Sequence, residues 1–150
     1  MKQVHKSVLL WHSARQMYDL VTQVQDYPAF LPWCDRAEVL ELREDGMTAR
    51  LGLAFSGLRH AFTTRNTHQP GRLVKVELVD GPFSMLEGTW AFNPLGGDDD
   101  LQQACRIEFD LQYAFRGIAL ESVVSPVFDR IANTLVDRFV QRAEEVYGAR

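Results

Sequence analysis

The residues best suited to chemistry lie on one predicted strand, around residues 58–68. Four polar side chains share a face of that strand with Phe62, and these are His60, Thr64, Asn66 and His68. The two histidines are eight residues apart, roughly 27 Å along an extended strand, so they cannot bind one metal ion. The chain also has no G-x-S-x-G or H-E-x-x-H motif and no phosphate-binding loop. The sequence gives an enzyme weak support, and we expect no catalytic residue and no metal site.

Composition and charge narrow the class of protein. The 150 residues suffice for one domain with a buried core, and 46% of them are hydrophobic, as in an ordinary globular protein. A net charge of −4 creates no overall field that favours DNA. The N-terminal apolar run is too short for a signal peptide, and no segment is long enough to span a membrane. Two cysteines without C-x-x-C spacing indicate reduced thiols, so we expect a cytoplasmic protein.

The segment DYPAFLPWC (Asp26 to Cys34) contains an unusual density of aromatic side chains. Its two prolines disfavour a long helix or a central strand. In a loop, the large aromatic side chains of Tyr27, Phe30 and Trp33 are favourable only if they fold back over an apolar surface. They either close the core or line the entrance of a pocket for an apolar ligand, and the sequence leaves both possibilities open.

Alternation of apolar and polar residues predicts most of the chain to be sheet. From about Asp35 the hydrophobic period is two, most clearly in Cys105–Phe115. One dry and one wet face is typical of an antiparallel sheet covered on a single side, and short glycine-containing turns favour meander pairing. The run GGDDD, Gly96–Asp100, is predicted to be an exposed turn.

Helical patterns flank this sheet on both sides. Ser13 and Gln16 form a capping-box pattern before a short amphipathic helix, and a longer apolar stripe runs from Val124 to Val146. Ser125 and Pro126 suit the cap and first turn of the second helix, and a helix that begins earlier should be kinked at Pro126. We predict an α+β helix-grip (START/Bet v1-like) fold, in which a curved antiparallel sheet of about seven strands wraps round a long C-terminal helix. One or two short helices follow the first strand, and a cavity separates sheet and helix.

Four motifs carry a resemblance to a known family. They are Y-P-x-F-L-P-W-C (Tyr27–Cys34), G-P-F-x-x-L-x-G-x-W-x-F (Gly81–Phe92), C-x-I-x-F-x-L-x-Y-x-F (Cys105–Phe115) and A-E-E-V-Y-G (Ala143–Gly148). Together they resemble the coenzyme Q-binding and RatA-type ribosome association toxin family of the START-like (polyketide cyclase/dehydrase) superfamily. The resemblance covers essentially the whole chain and implies a single START-like domain, residues 1–150.

The resemblance implies a hydrophobic tunnel that binds ubiquinone or a related polyisoprenoid lipid and requires no further cofactor. Such a protein would support respiration and contact the inner membrane transiently, as a peripheral protein. By family position, the tunnel mouth would contain Tyr27, Phe30, Leu31, Pro32 and Trp33, with Phe83 and Trp90 nearby. The rest of the predicted ligand-binding set comprises Phe92, Phe109, Tyr113, Phe128, Ile131 and Leu135.

Two other roles stay open at this point. Toxin-like members of the family imply binding to the large ribosomal subunit, and four cations lie at predicted outward strand positions: Arg50, Arg59, Arg65 and Lys75. A solvated sheet face is the simpler explanation of that group. The superfamily label also implies a polyketide cyclase or aromatase, which would need a buried charged or paired polar group in the tunnel.

Overall fold

Seven strands and two α-helices make up the part of the chain that the structure describes. This computed structural model describes residues 1–55, 57–95 and 104–148. The strands are β1 (Lys2–Leu10), β2 (Cys34–Arg43), β3 (Gly46–Phe55), β4 (Leu58–Gln69), β5 (Leu73–Asp80), β6 (Phe83–Pro94) and β7 (Cys105–Phe115). The helices are α1 (Ala14–Thr22) and α2 (Ile118–Tyr147), and a 3-10 helix spans Val24–Ala29. The turn predicted at Gly96–Asp100 lies outside the described residues.

The strands form one antiparallel sheet in the order β1-β7-β6-β5-β4-β3-β2. Strands β2 to β7 follow one another as a meander, whereas β1 pairs with β7 at the opposite edge from β2. The chain between β1 and β2 therefore crosses one face of the sheet. It carries α1, which packs on β5, β6, β7 and α2, and the 3-10 helix, which packs on β2.

The dry face of the sheet is the face that α1 and α2 cover. Along β7 the inward residues are the buried ones, namely Cys105, Ile107, Phe109, Leu111 and Tyr113. Helix α2 presents Phe128, Ile131 and Phe139 to the same core. Period-two burial on the strands and a single long helix against them confirm the predicted helix-grip fold.

The capping box predicted before α1 is present. The Ser13 hydroxyl accepts a hydrogen bond from the Gln16 backbone N–H at 3.0 Å, and the Gln16 side-chain oxygen accepts one from the Ser13 backbone N–H at 2.9 Å. The two bonds satisfy backbone donors that a helix start otherwise leaves unpaired. Helix α1, which precedes the aromatic segment in the chain, therefore has a well-defined first turn.

Of the two predicted starts of the C-terminal helix, the earlier one is present and the start at Ser125 was wrong. Helix α2 begins at Ile118, so Pro126 lies inside it and Ser125 is not its cap. The first turn contains the strong helix formers Ala119, Leu120 and Glu121, which extend the helix although Pro126 offers no N–H to it. Apolar periodicity missed these turns because Ile118 is 83% exposed and Val123 is 54% exposed. No described helix combines the length and hydropathy needed to span a bilayer.

Candidate ligand-binding cavity

A cavity of about 100 Å³ lies between the sheet and α2, and it is partly open to solvent. Most of its lining residues are buried, whereas Tyr27, Leu51, Val76 and Leu135 are half-buried. An apolar cavity of about 150 Å³ can enclose a benzene molecule, so this smaller space, with its open side, can take up an organic ring in part.

The floor of the cavity is the dry face of five neighbouring strands. Its residues follow the period of two, as Ala49 and Leu51 of β3, Phe62, Thr64 and Asn66 of β4, Val76 of β5, Leu86, Gly88 and Trp90 of β6, and Phe109 and Leu111 of β7. Two small residues of this floor, Ala49 and Gly88, leave space above the sheet. A Cβ built on Gly88 would already lie 3.2 Å from Leu111 Cδ1 and 3.8 Å from Val76 Cβ, so a larger side chain there would compete for the cavity.

The roof of the cavity is the stretch of α2 between two aromatic clusters. Phe128 packs against Phe83 and Tyr113, each at 4.8 Å between ring centroids. Three turns later, Phe139 packs against Trp90 at 5.2 Å and Tyr27 at 5.5 Å. These clusters support the helix on the sheet at two points. Between them the cavity meets only Ile131, Ala132 and Leu135 from α2.

Tyr27 is an ionisable residue of the wall, but its hydroxyl is already engaged. It donates a hydrogen bond to the Val21 carbonyl. Burial raises the pKa of Tyr27 well above its ordinary value, with a smaller contribution from Cys34, so the phenol stays protonated. Among the described residues that line the cavity, none is a carboxylate or a histidine.

Thr64 and Asn66 form a hydrogen-bonded polar pair on the floor. The Thr64 hydroxyl donates to Asn66 Oδ1 at 2.9 Å, and the two residues are 3% and 8% exposed. The two histidines predicted on the same strand face do not line the cavity. His68 packs edge-on against Tyr18 at 6.0 Å, and burial followed by the Arg43 charge lowers its pKa.

The structure places part of the predicted ligand-binding set at the cavity. The members that line it are Tyr27, Trp33, Trp90, Phe109, Phe128, Ile131 and Leu135. Trp33 is 8% exposed and also borders a small second cavity of about 10 Å³ beside Val124 and Val127. The aromatic segment therefore contributes to the wall of a hollow through two residues, Tyr27 and Trp33.

Other members of the predicted set lie away from the cavity. Leu31, Phe83, Phe92 and Tyr113 are buried in the surrounding core. Phe30 packs on Phe139 at 5.2 Å with the Arg142 guanidinium over its ring, and Pro32 is exposed. Periodicity and motif position identified apolar residues, but they did not separate those facing the hollow from those facing other side chains.

Several lining residues were not in the predicted set. They are Val24, Ala49, Leu51, Phe62, Thr64, Asn66, Val76, Leu86, Gly88, Leu111, Ala132 and Phe139. The inward alternation of β3, β4 and β6 was the signal that could have found most of them. Ala49, Gly88 and Ala132 leave the cavity open because their side chains are small or absent. They come from three different elements, so the sequence alone does not show that they face one another.

Both cysteines are buried free thiols that form no disulfide. Cys34 directly follows the cavity residue Trp33. Burial raises the pKa of each thiol to about 11. The Cys34 thiol also donates to the Arg36 carbonyl at 3.3 Å. Neither thiol has the exposed, electropositive surroundings that make a cysteine reactive.

The four predicted surface cations lie exposed on the outer face of β3, β4 and β5: Arg50, Arg59, Arg65 and Lys75. Acidic residues are interspersed among them. Arg50 pairs in register with Glu38, and Arg65 with Glu77. Arg59 lies 3.7 Å from Asp35, and Lys75 lies 4.0 Å from Glu77. The group is thus a mixed-charge surface rather than a uniformly basic one.

A curved antiparallel sheet that holds a long helix over a partly open, apolar cavity defines a START-like ligand-binding protein. The comparison with protein families agrees with this architecture. The chain belongs to the family described as polyketide cyclase / dehydrase and lipid transport, whose model matches residues 10–140.

Individual relatives carry two kinds of name. The chain is 42% identical over 145 residues to a ribosome association toxin RatA of Pseudomonas aeruginosa, and the match covers 97% of each chain. It is 31% identical to the mitochondrial coenzyme Q-binding protein COQ10 homolog B of Xenopus laevis, over 95% of this chain and 58% of that protein. Among solved structures, the ZhuI aromatase/cyclase of Streptomyces sp. R1128 superposes with a TM-score of 0.80 at 16% identity. That match covers 95% of this chain and 93% of the other, and it shows the shared fold alone.

Proposed function

We propose that this protein binds an apolar molecule with a ring-sized head group, ubiquinone or a related polyisoprenoid lipid, in the cavity under α2. The observation that carries the proposal is the wall itself, which is aromatic and aliphatic apart from a few polar groups. Such walls are typical of small-molecule binding sites. A relative named for coenzyme Q binding supports the choice of a quinone. In this role the protein carries or shields the lipid and thereby supports respiratory quinone function.

The size of the cavity limits how much of such a lipid it encloses. At about 100 Å³, the cavity is smaller than the roughly 150 Å³ of an apolar cavity that encloses benzene. It can therefore cover only part of a quinone ring in this conformation, and a long polyprenyl tail does not fit inside it. We propose that the quinone ring enters the cavity and that the tail leaves through the half-buried side at Tyr27 and Leu135.

Binding without catalysis is the role that the wall supports best. Acid–base catalysis needs a group that exchanges a proton near neutral pH. Tyr27 holds its proton on the Val21 carbonyl, and the described lining includes no carboxylate or histidine. The Thr64–Asn66 pair is a buried polar pair of the kind that a cyclase needs, but neither member titrates.

A fluorescence titration with ubiquinone-2 tests the proposal. Wild-type protein should bind it saturably with quenching of tryptophan emission, because Trp33 and Trp90 line the cavity. Trp33→Ala should weaken binding about tenfold or more through loss of ring contacts. Trp11→Ala is the matched control, since Trp11 is 69% exposed and lies away from the cavity.

Two outcomes would remove the proposal. One is an absence of saturable binding of ubiquinone-2 and of every shorter analogue by folded wild-type protein. The other is an equal loss of affinity in the Trp33 and Trp11 variants, which would place the ligand elsewhere. Mass spectrometry of a solvent extract from natively purified protein would add the identity of any lipid that co-purifies.

A second candidate function is docking on the ribosome, at the large subunit. The observation that favours it is the 42% identity, over nearly the whole length, to a ribosome association toxin. Arg50 and Arg65, which form no ion pair with a described residue, are the natural contacts for ribosomal RNA phosphates. Ribosome docking would use the outer sheet face and leave the cavity free, so one chain can have both functions.

Co-sedimentation with purified large subunits tests this second candidate. Alanine at all four cations of the outer face should reduce the bound fraction strongly and flatten its salt dependence, because phosphate contacts release counterions. The control replaces four exposed cations away from that face: Lys6, Arg116, Arg130 and Arg138. Equal binding by both variants would exclude the outer face, and no binding by wild type would exclude the function.

A further inference from the structure

Asn66 presents unpaired hydrogen-bond donors to the cavity. Its side chain is on the cavity floor, and its Oδ1 accepts the hydrogen bond from the Thr64 hydroxyl at 2.9 Å. An asparagine amide has two N–H donors besides that oxygen. Neither donor has an acceptor among the described residues. Asn66 is 8% exposed and lines the cavity, so an acceptor on a bound ligand can pair with these donors there.

Two indoles add further donors to the wall. The indole N–H groups of Trp33 and Trp90 make no hydrogen bond within the described part of the chain, and an indole can only donate. The Tyr27 and Thr64 hydroxyls already donate their protons to the Val21 carbonyl and to Asn66 Oδ1, so toward a ligand they can act only as acceptors. The N–H groups that the wall can offer to a ligand acceptor are thus those of Asn66, Trp33 and Trp90.

The backbone of Asn66 is held firmly. Arg43 Nη2, on a side chain that is 16% exposed, donates to the Asn66 carbonyl at 3.0 Å and to the Met47 carbonyl at 3.1 Å. The turn before β3 packs so closely here that a Cβ on Gly46 would lie 1.9 Å from the Asn66 carbonyl oxygen. Strand pairing with β3 and β5 fixes both sides. Such support is what a specificity-determining side chain needs to keep its direction.

We propose that Asn66 selects ligands that carry a carbonyl oxygen on an apolar ring, by donating a hydrogen bond from Nδ2 to that oxygen. The inference rests on the proposed function, since it assumes that an apolar ring enters the cavity. Thr64 acts as a positioning residue, because its hydroxyl holds Oδ1 and so directs the N–H groups away from itself. A hydrocarbon of the same shape gains the apolar contacts but not this bond.

A matched ligand pair tests the inference. Duroquinone and durene carry the same four methyl groups on a planar six-membered ring, and durene has two C–H groups where duroquinone has its two carbonyl groups. Each is measured by competition against ubiquinone-1 in the fluorescence titration. Wild-type protein should bind duroquinone about ten times more tightly than durene. Asn66→Leu should bring that ratio close to one through weaker duroquinone binding, with durene affinity unchanged or slightly higher.

Controls separate the role of the amide from general effects on the sheet. Asn93→Leu, at an exposed position on β6, should keep the tenfold ratio, and Thr64→Ser, which retains the hydroxyl, should keep most of it. The Asn66 side-chain amide can also be followed by NMR in the unmodified protein. Its N–H resonances should move downfield at saturation with duroquinone and stay in place with durene, which tests the inference even where Asn66→Leu fails to fold.

The possible failures are distinguishable. If folded wild type binds neither ubiquinone-1 nor duroquinone, the proposed function fails and the inference with it. If duroquinone binds and Asn66→Leu keeps the tenfold ratio, only the role of Asn66 is overturned. Unmoved Asn66 amide resonances at saturation with duroquinone overturn it in the same way, and they point to an indole as the donor.

Discussion

Tyr27 connects three parts of the molecule through one side chain. Its hydroxyl donates to the Val21 carbonyl at the end of α1, and its ring packs edge-on against Phe139 of α2 at 5.5 Å. The same ring lines the cavity. A residue can thus close the core and bound a ligand site at once, because an aromatic ring has two faces and an edge to share between them. For Tyr27, closing the core and lining a pocket are one structural role.

At this scale, we expect Tyr27→Phe to lower stability with little effect on ligand affinity. The ring contacts remain, but the Val21 carbonyl loses its partner, so the free energy of unfolding should fall by about 1 kcal/mol. Urea denaturation and the ubiquinone-2 titration measure the two quantities. Tyr147→Phe is the control, since its hydroxyl donates to the Gln16 carbonyl at 3.2 Å away from the cavity. A tenfold loss of affinity at unchanged stability would mean that the Tyr27 hydroxyl acts on the ligand.

At the scale of elements, α2 is fastened to one edge of the sheet by a polar cluster centred on Asp129. Lys2 of β1 donates to the Asp129 carboxylate and, at 2.6 Å, to Ser125 Oγ. The Tyr113 hydroxyl of β7 donates to Asp129 Oδ1 at 2.6 Å. Burial alone would raise the pKa of Asp129, but the hydrogen bonds from Lys2 and Tyr113, with the Lys2 charge, lower it overall. The cluster therefore joins the first strand, the last strand and the helix.

This lowered pKa predicts the pH dependence of stability. A carboxyl group with a lower pKa in the folded state stabilises the fold above its unfolded pKa, and that contribution disappears as the pH falls through the folded pKa. Asp129→Asn should be less stable than wild type at pH 7, and the difference should shrink as the pH falls below about 5. Thermal unfolding from pH 7 to pH 3 measures it. Asp137→Asn, on an exposed face of the same helix, should follow wild type throughout. A constant difference at all pH values would contradict a role for the charge.

At the scale of the whole molecule, the cavity is a packing defect that the fold maintains. The aromatic clusters at Phe128 and Phe139 support α2 at two points, and the small residues Ala49, Gly88 and Ala132 leave the space between them unfilled. Unfilled volume in a core lowers stability. Filling this space is therefore expected to stabilise the fold, as cavity-filling substitutions commonly do.

Filling the cavity should exchange affinity for stability. Ala132→Leu adds a branched side chain where α2 faces the void, so ubiquinone-2 affinity should fall at least tenfold. The unfolding midpoint should stay the same or rise by a few degrees, since about 1 kcal/mol corresponds to roughly 2–4 °C at this chain length. Ala61→Leu, on the exposed outer face of β4, should leave affinity unchanged. Unaltered binding by a folded Ala132→Leu variant would locate the ligand outside the cavity.

The sequence predicted the fold better than it predicted the walls of the cavity. Alternation in Cys105–Phe115 reports which side chains point inward, and one long apolar stripe identifies the helix that must cover them. A void is a property of residues from different elements that meet in space. Ala49 and Ala132 are unremarkable one at a time, and nothing local distinguishes Trp90, which lines the cavity, from Phe92, which is buried two positions later. The start of α2 escaped prediction because its first residues are exposed.

The two protonated thiols would have a chemical consequence for the quinone ligand proposed above. Quinones are electrophiles, and the species that attacks them is the thiolate rather than the thiol. With a pKa of about 11, each of Cys34 and Cys105 is a thiolate in only about one molecule in ten thousand at pH 7. Cys34 follows a wall residue of the cavity, so with the proposed quinone bound its protonated thiol should form no adduct readily. Burial of this thiol would then protect the ligand from covalent capture as well as protect the cysteine from oxidation.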